Sequence, residues 1–241
     1  MDIPAGLVSL FRSVSRVAAL TGAGISQESG LQTFRDAQAG LWAQYSPEDL
    51  ATPQAFQRDP KLVWDWYAER RERLAEVHPN PAHFALAALA GKLPEFTLVT
   101  QNVDDLHRRA GSRDVIELHG NLGRVKCSGG CGVVTDWEDR IGVPRCQKCG
   151  AFLRPDVVWF GEQLPVEAMD AAGKAARSCD VFLSIGTSGL VQPAASLAYM
   201  AKERGACVVE INLEPTPLSP IADFCLHGKA GEVLPEFVGQ I

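Results

Sequence analysis

Short apolar segments recur along the chain with amphipathic stretches between them. RVAALTG (16–22), FTLVT (96–100), VIELHG (115–120), DVVWF (156–160), VFLSIG (181–186) and CVVEIN (207–212) read as buried strands. PAHFALAALAGKL precedes FTLVT, and PAASLAYMAKERG precedes CVVEIN; both have helical spacing. Strands rich in Val, Ile and Leu that alternate with helices predict an α/β fold, a doubly wound parallel sheet. Two stretches break the rhythm: residues 36–84 are largely helical, and residues 123–153 hold four cysteines. Both are expected to be insertions that form a smaller lobe, leaving 1–35, 85–122 and 154–241 as the main lobe.

One helical stripe contains an arginine. In KLVWDWYAERRERL, Val63, Trp66, Tyr67 and Leu74 share an apolar face, and Arg70 lies on it between Tyr67 and Leu74. Arg71, Glu72 and Arg73 are expected to face water. Arg70 should face whatever the stripe faces, unless it snorkels to solvent or pairs with Glu69 or Glu48.

Composition narrows the class. With 46% hydrophobic and 22% charged residues in 241, this is an ordinary globular chain of one large domain or one domain with an inserted lobe. A net charge of -6 argues against binding nucleic acid through a basic surface. No apolar run is long enough for a membrane span. MDIPAGLVSLFRSVSRVAAL has no basic leader, and Arg12 and Arg16 interrupt its apolar run, so a cytoplasmic protein is expected.

Four segments carry candidate chemistry. TGAGISQESG (21–30) follows a strand and opens a helix, so Gly22 and Gly24 could make the tight turn and close approach of a dinucleotide loop, or a plain turn. The second strand with an acid that a dehydrogenase would show next is absent, so hydride transfer fits poorly. TQNVDDLH (100–107) leaves the carboxyl end of a strand, where α/β sheets place ligands. Asn102 and Asp104 could present an amide and a carboxylate there, or either could cap a helix. His119 in ELHGN also follows a strand, a position suited to acid–base work, whereas His78, His83 and His227 read as structural or solvated. Cys127, Cys131, Cys146 and Cys149 form two close pairs, a strong zinc signal in a reducing compartment. Four thiolates would close the tetrahedron, so the metal is expected to be structural.

Taken together, GAGISQESGLQTFRD, TQNVDDLH, ELHGN, the cysteine pairs, RPDVVWFGE, GTSGLVQPAA and EINLEP resemble the sirtuin family, in the family's order and over residues 16–237. The resemblance implies a Rossmann-like NAD-binding lobe, with a small lobe made of a zinc ribbon and a helical insertion. It implies a bacterial-type NAD-dependent protein lysine deacylase that consumes NAD and gives free lysine, nicotinamide and acyl-ADP-ribose.

Carried onto this sequence, Gly22, Ala23, Gly24, Ile25 and Ser26 would line the NAD pocket, and Thr33, Phe34, Arg35 and Asp36 resemble its mobile cofactor loop. Gln101, Asn102, Val103 and Asp104 would meet the nicotinamide ribose and carboxamide. Gly186, Thr187, Ser188, Asn212, Leu213 and Glu214 resemble the phosphate and adenosine contacts, with Ala230 near adenine. His119 would be the general base, with Asn102 beside it in the catalytic site. Trp159, Phe160, Gly161 and Glu162 would pair with the backbone of an acyl-lysine peptide as an added strand. Gln27 and Gln32 replace a frequent alanine and proline, and the first cysteine pair has three intervening residues instead of two; neither removes a proposed group.

Tyr67-Ala68-Glu69-Arg70 matches the Tyr-x-x-Arg pair of the branch that removes succinyl and malonyl groups, and Ala51 matches that branch's small channel residue. Three residues apart, the phenol and guanidinium share a helix face and could converge on one carboxylate. A monomer with no nucleic-acid or membrane partner is expected. The competing readings are protein mono-ADP-ribosyl transfer and a non-catalytic NAD or acyl-lysine sensor.

Overall fold

The computed structural model describes residues 3–31, 45–46, 50–137 and 142–241. The expected cofactor loop, Thr33 to Asp36, lies outside the described residues. Six parallel strands form the main sheet: β1 (Arg16–Thr21), β2 (Glu95–Thr100), β3 (Ile116–Glu117), β7 (Val181–Ile185), β8 (Cys207–Asn212) and β9 (Phe224–His227), in the order β3-β2-β1-β7-β8-β9. The chain moves outward from β1 through β2 to β3, then returns to the other side of β1 at β7. The sheet's topological switch point therefore lies between β1 and β7, where such sheets open a crevice at the strands' carboxyl ends.

Alternate residues explain why the strands read as continuous apolar runs. Val17, Ala19, Leu183, Ile185, Val209 and Ile211 face a core layer closed by α1 (Ala5–Phe11), α4 (Pro81–Lys92) and α8 (Ala230–Gln240). Ala18, Leu20, Phe182 and Val208 face the opposite layer, against α6 (Val166–Ser178) and α7 (Ser196–Glu203). Both faces are covered, as a parallel sheet requires.

The second sheet is antiparallel, ordered β5-β4-β6, from β4 (Gly120–Cys127), β5 (Val133–Val134) and β6 (Leu153–Val157). Two expected strands change here. Only Ile116 and Glu117 of VIELHG pair in the parallel sheet. Gly120, at φ +81°, turns the chain into β4, and a Cβ there would lie 2.0 Å from the Asp156 carbonyl oxygen. DVVWF contributes Asp156 and Val157 to the end of β6, while Trp159 and Phe160 lie beyond it. A short apolar run does not reveal which sheet it joins.

Helices α2 (Pro53–Arg58) and α3 (Pro60–Glu76) complete this lobe, and α5 (Leu106–Arg109) follows β2 in the main lobe. Asp59 caps α3 by accepting from the Leu62 N–H at 2.9 Å, with Pro60 in the first turn. Val63, Trp66, Tyr67 and Leu74 are buried against Leu50, Ala51, Phe56 and Trp159. Trp64, off that stripe, is buried in a second cluster with Cys127, Cys146 and Leu153. Arg71 does not simply face water: its guanidinium stacks on Trp64 and Trp137, 4.7 and 5.2 Å from the ring centroids. Helix α3 is thus shared by two small cores. Among the described residues no helix is long and apolar enough to cross a membrane.

Candidate active site

The glycines of the first loop solve a backbone problem. A Cβ on Gly24 would lie 2.7 Å from the Gly186 oxygen, and one on Gly22 would lie 2.8 Å from the same atom. Gly186 sits at φ +58°, where its own Cβ would meet the Ile25 nitrogen at 2.4 Å. The loops leaving β1 and β7 therefore cross in direct contact, joined by Gly22 N–H to the Ile185 oxygen (3.0 Å) and Gly24 N–H to the Gly186 oxygen (2.8 Å). The sequence suggested close approach to phosphate; the structure shows these two N–H groups spent on the crossing. The helix expected after the loop is present as a 3₁₀ helix, Ala23–Ser29.

The crossing floors a cavity of ≈ 320 Å³ at the switch point, and Gly24, Gly186, Asn212, Leu213 and Ala230 share its wall. Ser188 and Glu214 follow the same strand ends without lining it. The wall is bare of bulky side chains where the two loops meet, which suits the backbone approach a dinucleotide needs. Thr187 joins the two sides, its Oγ1 accepting from Gln101 Nε2 (3.0 Å) and its carbonyl from Asn212 Nδ2 (3.0 Å).

Asn102 crosses back to the glycine loop, its Nδ2 donating to the Gly22 oxygen (3.2 Å) and to Ser26 Oγ (3.1 Å). Ser26 in turn donates to Asp104 Oδ2 at 2.7 Å. Asp104 Oδ1 accepts the Leu106 N–H at 3.0 Å, so this carboxylate braces the turn before α5 while it holds Ser26, although Asp105 is the residue at the helix's N-cap position. Burial raises the Asp104 pKa, and the Ser26 and Leu106 hydrogen bonds oppose that shift. Val103 lies between them, its carbonyl accepting the Leu122 N–H at 2.8 Å.

A second layer went unseen in the sequence. Buried His83 reaches Ser26 Oγ at 3.4 Å, and its Nδ1 accepts the Asn80 N–H, which leaves Nε2 to donate. Buried His107 meets Thr21 Oγ1 at 2.8 Å, and Thr21 donates to Thr100 Oγ1 at 2.8 Å. Burial lowers His83 to about 4 and His107 to about 3, so both are neutral at pH 7. The available signal for His83 was its place at the start of PAHFALAALA, in the first turn of a buried helix.

His119 points its Nδ1 at the Gln101 carbonyl oxygen, 2.8 Å away. A carbonyl only accepts, so Nδ1 carries the hydrogen and Nε2 presents a lone pair in the neutral ring. Burial lowers the His119 pKa, and the bond to Gln101 opposes it. A neutral imidazole with its Nε2 lone pair presented has the chemistry a general base needs.

The small-lobe side brings Ala51, Tyr67 and Trp159 into one buried cluster. Trp159 Nε1 donates to the Tyr67 oxygen at 3.0 Å. Arg70 is half-buried, its guanidinium 4.4 Å from the centroid of the Trp66 ring; burial lowers its pKa, and Tyr67 opposes that. In the segment Trp159–Glu162, the Trp159 N–H is bonded to Glu162 Oε2, the Phe160 N–H to the Ala51 oxygen and the Glu162 N–H to the Trp159 oxygen. Gly161 is the residue whose N–H makes no internal hydrogen bond among those described. An added strand would therefore have fewer backbone donors here than a full edge offers.

The four cysteines of the ribbon are brought together, with their Sγ atoms all within 4.8 Å of one another. Backbone N–H groups of Cys131 and Gly129 help pull the Cys127 thiol down to about 6, toward the thiolate that metal binds. The donor set and spacing fit one tetrahedral zinc ion with no position left for water.

Known proteins agree with this architecture. Residues 22–193 match the Sir2 family. An NAD-dependent protein deacylase of Pyrococcus furiosus is 55% identical, covering 98% of this chain and 97% of its own. NAD-dependent protein deacylase 1 of Pseudomonas aeruginosa is 52% identical, covering 96% of each chain. A solved Sir2 homologue–NAD complex superposes with a TM-score of 0.91 at 49% identity, covering 99% of this chain and 93% of that one.

Proposed function

The chain belongs to the Sir2 family and is an NAD-dependent protein deacylase; from that premise we propose that it favours lysine acyl groups ending in a carboxylate, succinyl and malonyl, while retaining deacetylation. The observation that carries this reading is the cluster of Ala51, Tyr67 and Trp159 with Arg70 one helical turn from Tyr67. A small residue leaves length for a longer acyl chain. The phenol and guanidinium offer donors to its end. Half-burial disfavours the Arg70 charge, and an acyl carboxylate would offset that through a charge-assisted pair, about 1.5–3 kcal/mol.

At the other end of the cleft, the acyl-lysine amide oxygen would attack the glycosidic carbon of NAD bound along the switch-point crevice and displace nicotinamide; with one water the acyl group then leaves on ADP-ribose and the lysine is freed. Asn102 is anchored by its Nδ2, which leaves Oδ1 to accept from the ligand. Gln101 orients His119 through its carbonyl and braces Thr187 through its amide, so one residue ties the base to the nucleotide wall. His119 Nε2 takes the proton from a ribose hydroxyl as that oxygen attacks the acyl carbon. The protein is read as a cytoplasmic monomer, and the clustered thiols of the ribbon suit a reducing compartment.

Nicotinamide release from acetyl-, malonyl- and succinyl-lysine peptides of one sequence tests the reading. Turnover of all three is expected, with the two acidic groups favoured in kcat/KM. Labelled protein accumulating without acyl-ADP-ribose would instead indicate ADP-ribosyl transfer, and binding without nicotinamide release would indicate a sensor.

A further inference from the structure

The buried Tyr67 hydroxyl has one proton to donate and lone pairs to accept with. An indole N–H can only donate, so the 3.0 Å contact from Trp159 Nε1 makes the Tyr67 oxygen the acceptor. The phenol's own proton must then point away from the indole, and no acceptor for it exists among the described residues. The ring cannot easily turn, being packed edge-on against Trp66 at 4.6 Å.

The indole is itself locked. Trp159 is 2% exposed, the Arg154 guanidinium lies 3.3 Å from its ring centroid, and Phe56 packs at 5.3 Å. Both oxygens of Glu162 hold Arg154, and one of them also accepts the Trp159 N–H. From the Trp159–Glu162 turn to the phenol there is a continuous chain of contacts: Glu162, Arg154, Trp159, Tyr67.

We infer that Trp159 is a positioning residue for acyl selection, its indole N–H committing the Tyr67 hydroxyl to donate toward the acyl end. This rests on the reading that Tyr67 and Arg70 receive the acyl carboxylate. A carboxylate only accepts hydrogen bonds, so a phenol fixed as donor beside a guanidinium suits it. An acetyl methyl gains nothing from the same arrangement.

The test compares kcat/KM for succinyl- and acetyl-lysine peptides of one sequence in the full-length protein and in Trp159→Phe, Tyr67→Phe, the double variant and Arg70→Met. Trp159→Phe is expected to lower the succinyl-to-acetyl ratio roughly three- to tenfold, mainly through KM for the succinyl peptide. It should lower the ratio no further once Tyr67→Phe is present. Benzothienylalanine at position 159 keeps the bicycle and lacks the N–H, and gives the same result even if the phenylalanine variant folds poorly. An unchanged ratio with benzothienylalanine, or an equal loss with and without the Tyr67 hydroxyl, overturns the positioning role. An unchanged ratio in Arg70→Met overturns the carboxylate reading beneath it.

Discussion

His119 shows how much one hydrogen bond decides. Its Nδ1 is tied to the Gln101 carbonyl, so the tautomer is fixed and Nε2 is the basic atom. Burial is the largest influence on its pKa and lowers it from 6.5. A base must be deprotonated, so the acid limb of kcat/KM should lie below pH 6.5 and activity should be flat above it until another group titrates. A limb centred at or above pH 7 would contradict this environment. His119→Tyr should abolish acyl transfer with the four-cysteine site intact. The histidine's position after a strand was legible in ELHGN; its tautomer was not, because Gln101 lies 18 positions earlier in the chain. The same holds for Tyr67 and Trp159, whose contact spans 92 positions.

Among elements, α3 carries the most consequence for its length. One stripe packs with Ala51 and Trp159, while Trp64 packs with the cysteine ribbon and Arg71 stacks on Trp64 and Trp137. The apolar stripe was visible as helical spacing. The second contact face was not, because Trp64 and Arg71 fall off that stripe and are covered only when the ribbon docks. Structural zinc contributes folding free energy directly. Stripping zinc with a chelator should therefore shift tryptophan fluorescence and lower Tm by about 5 °C or more. Stoichiometric zinc loss with both signals unchanged would show that the ribbon and α3 are not coupled. Strands β1, β2, β7 and β8 were legible as apolar runs, but the short β9 and the helix α8, with Pro235 inside it, gave weaker patterns.

In the whole molecule, two buried neutral histidines stand behind the site. His83 titrates near 4 and His107 near 3 when folded, against about 6.5 in an unfolded chain. As pH falls below 6.5 the unfolded state takes up protons that the folded state refuses. Stability is thus whole above pH 6.5 and declines as pH falls toward 4, by roughly 3 kcal/mol for His83 alone. Urea unfolding at pH 7 and pH 5 should show the loss before most carboxylates titrate; equal stability at both would mean the histidines are solvated. The family, the parallel sheet and the four cysteines were all legible in ordered motifs. The crossing of Gly22 and Gly24 with Gly186 was not, since it depends on β1 and β7 lying side by side although well separated along the chain.

On the proposed reading, the acyl end of the cleft is what sets this chain's substrate choice within that architecture. The most direct measurement is kcat/KM of Arg70→Met against unmodified protein on succinyl- and acetyl-lysine peptides of identical sequence. Desuccinylation should fall about tenfold or more beyond any change in deacetylation, as expected for one lost charge-assisted pair. Equal loss of both activities, or none, would contradict carboxylate recognition by Tyr67 and Arg70.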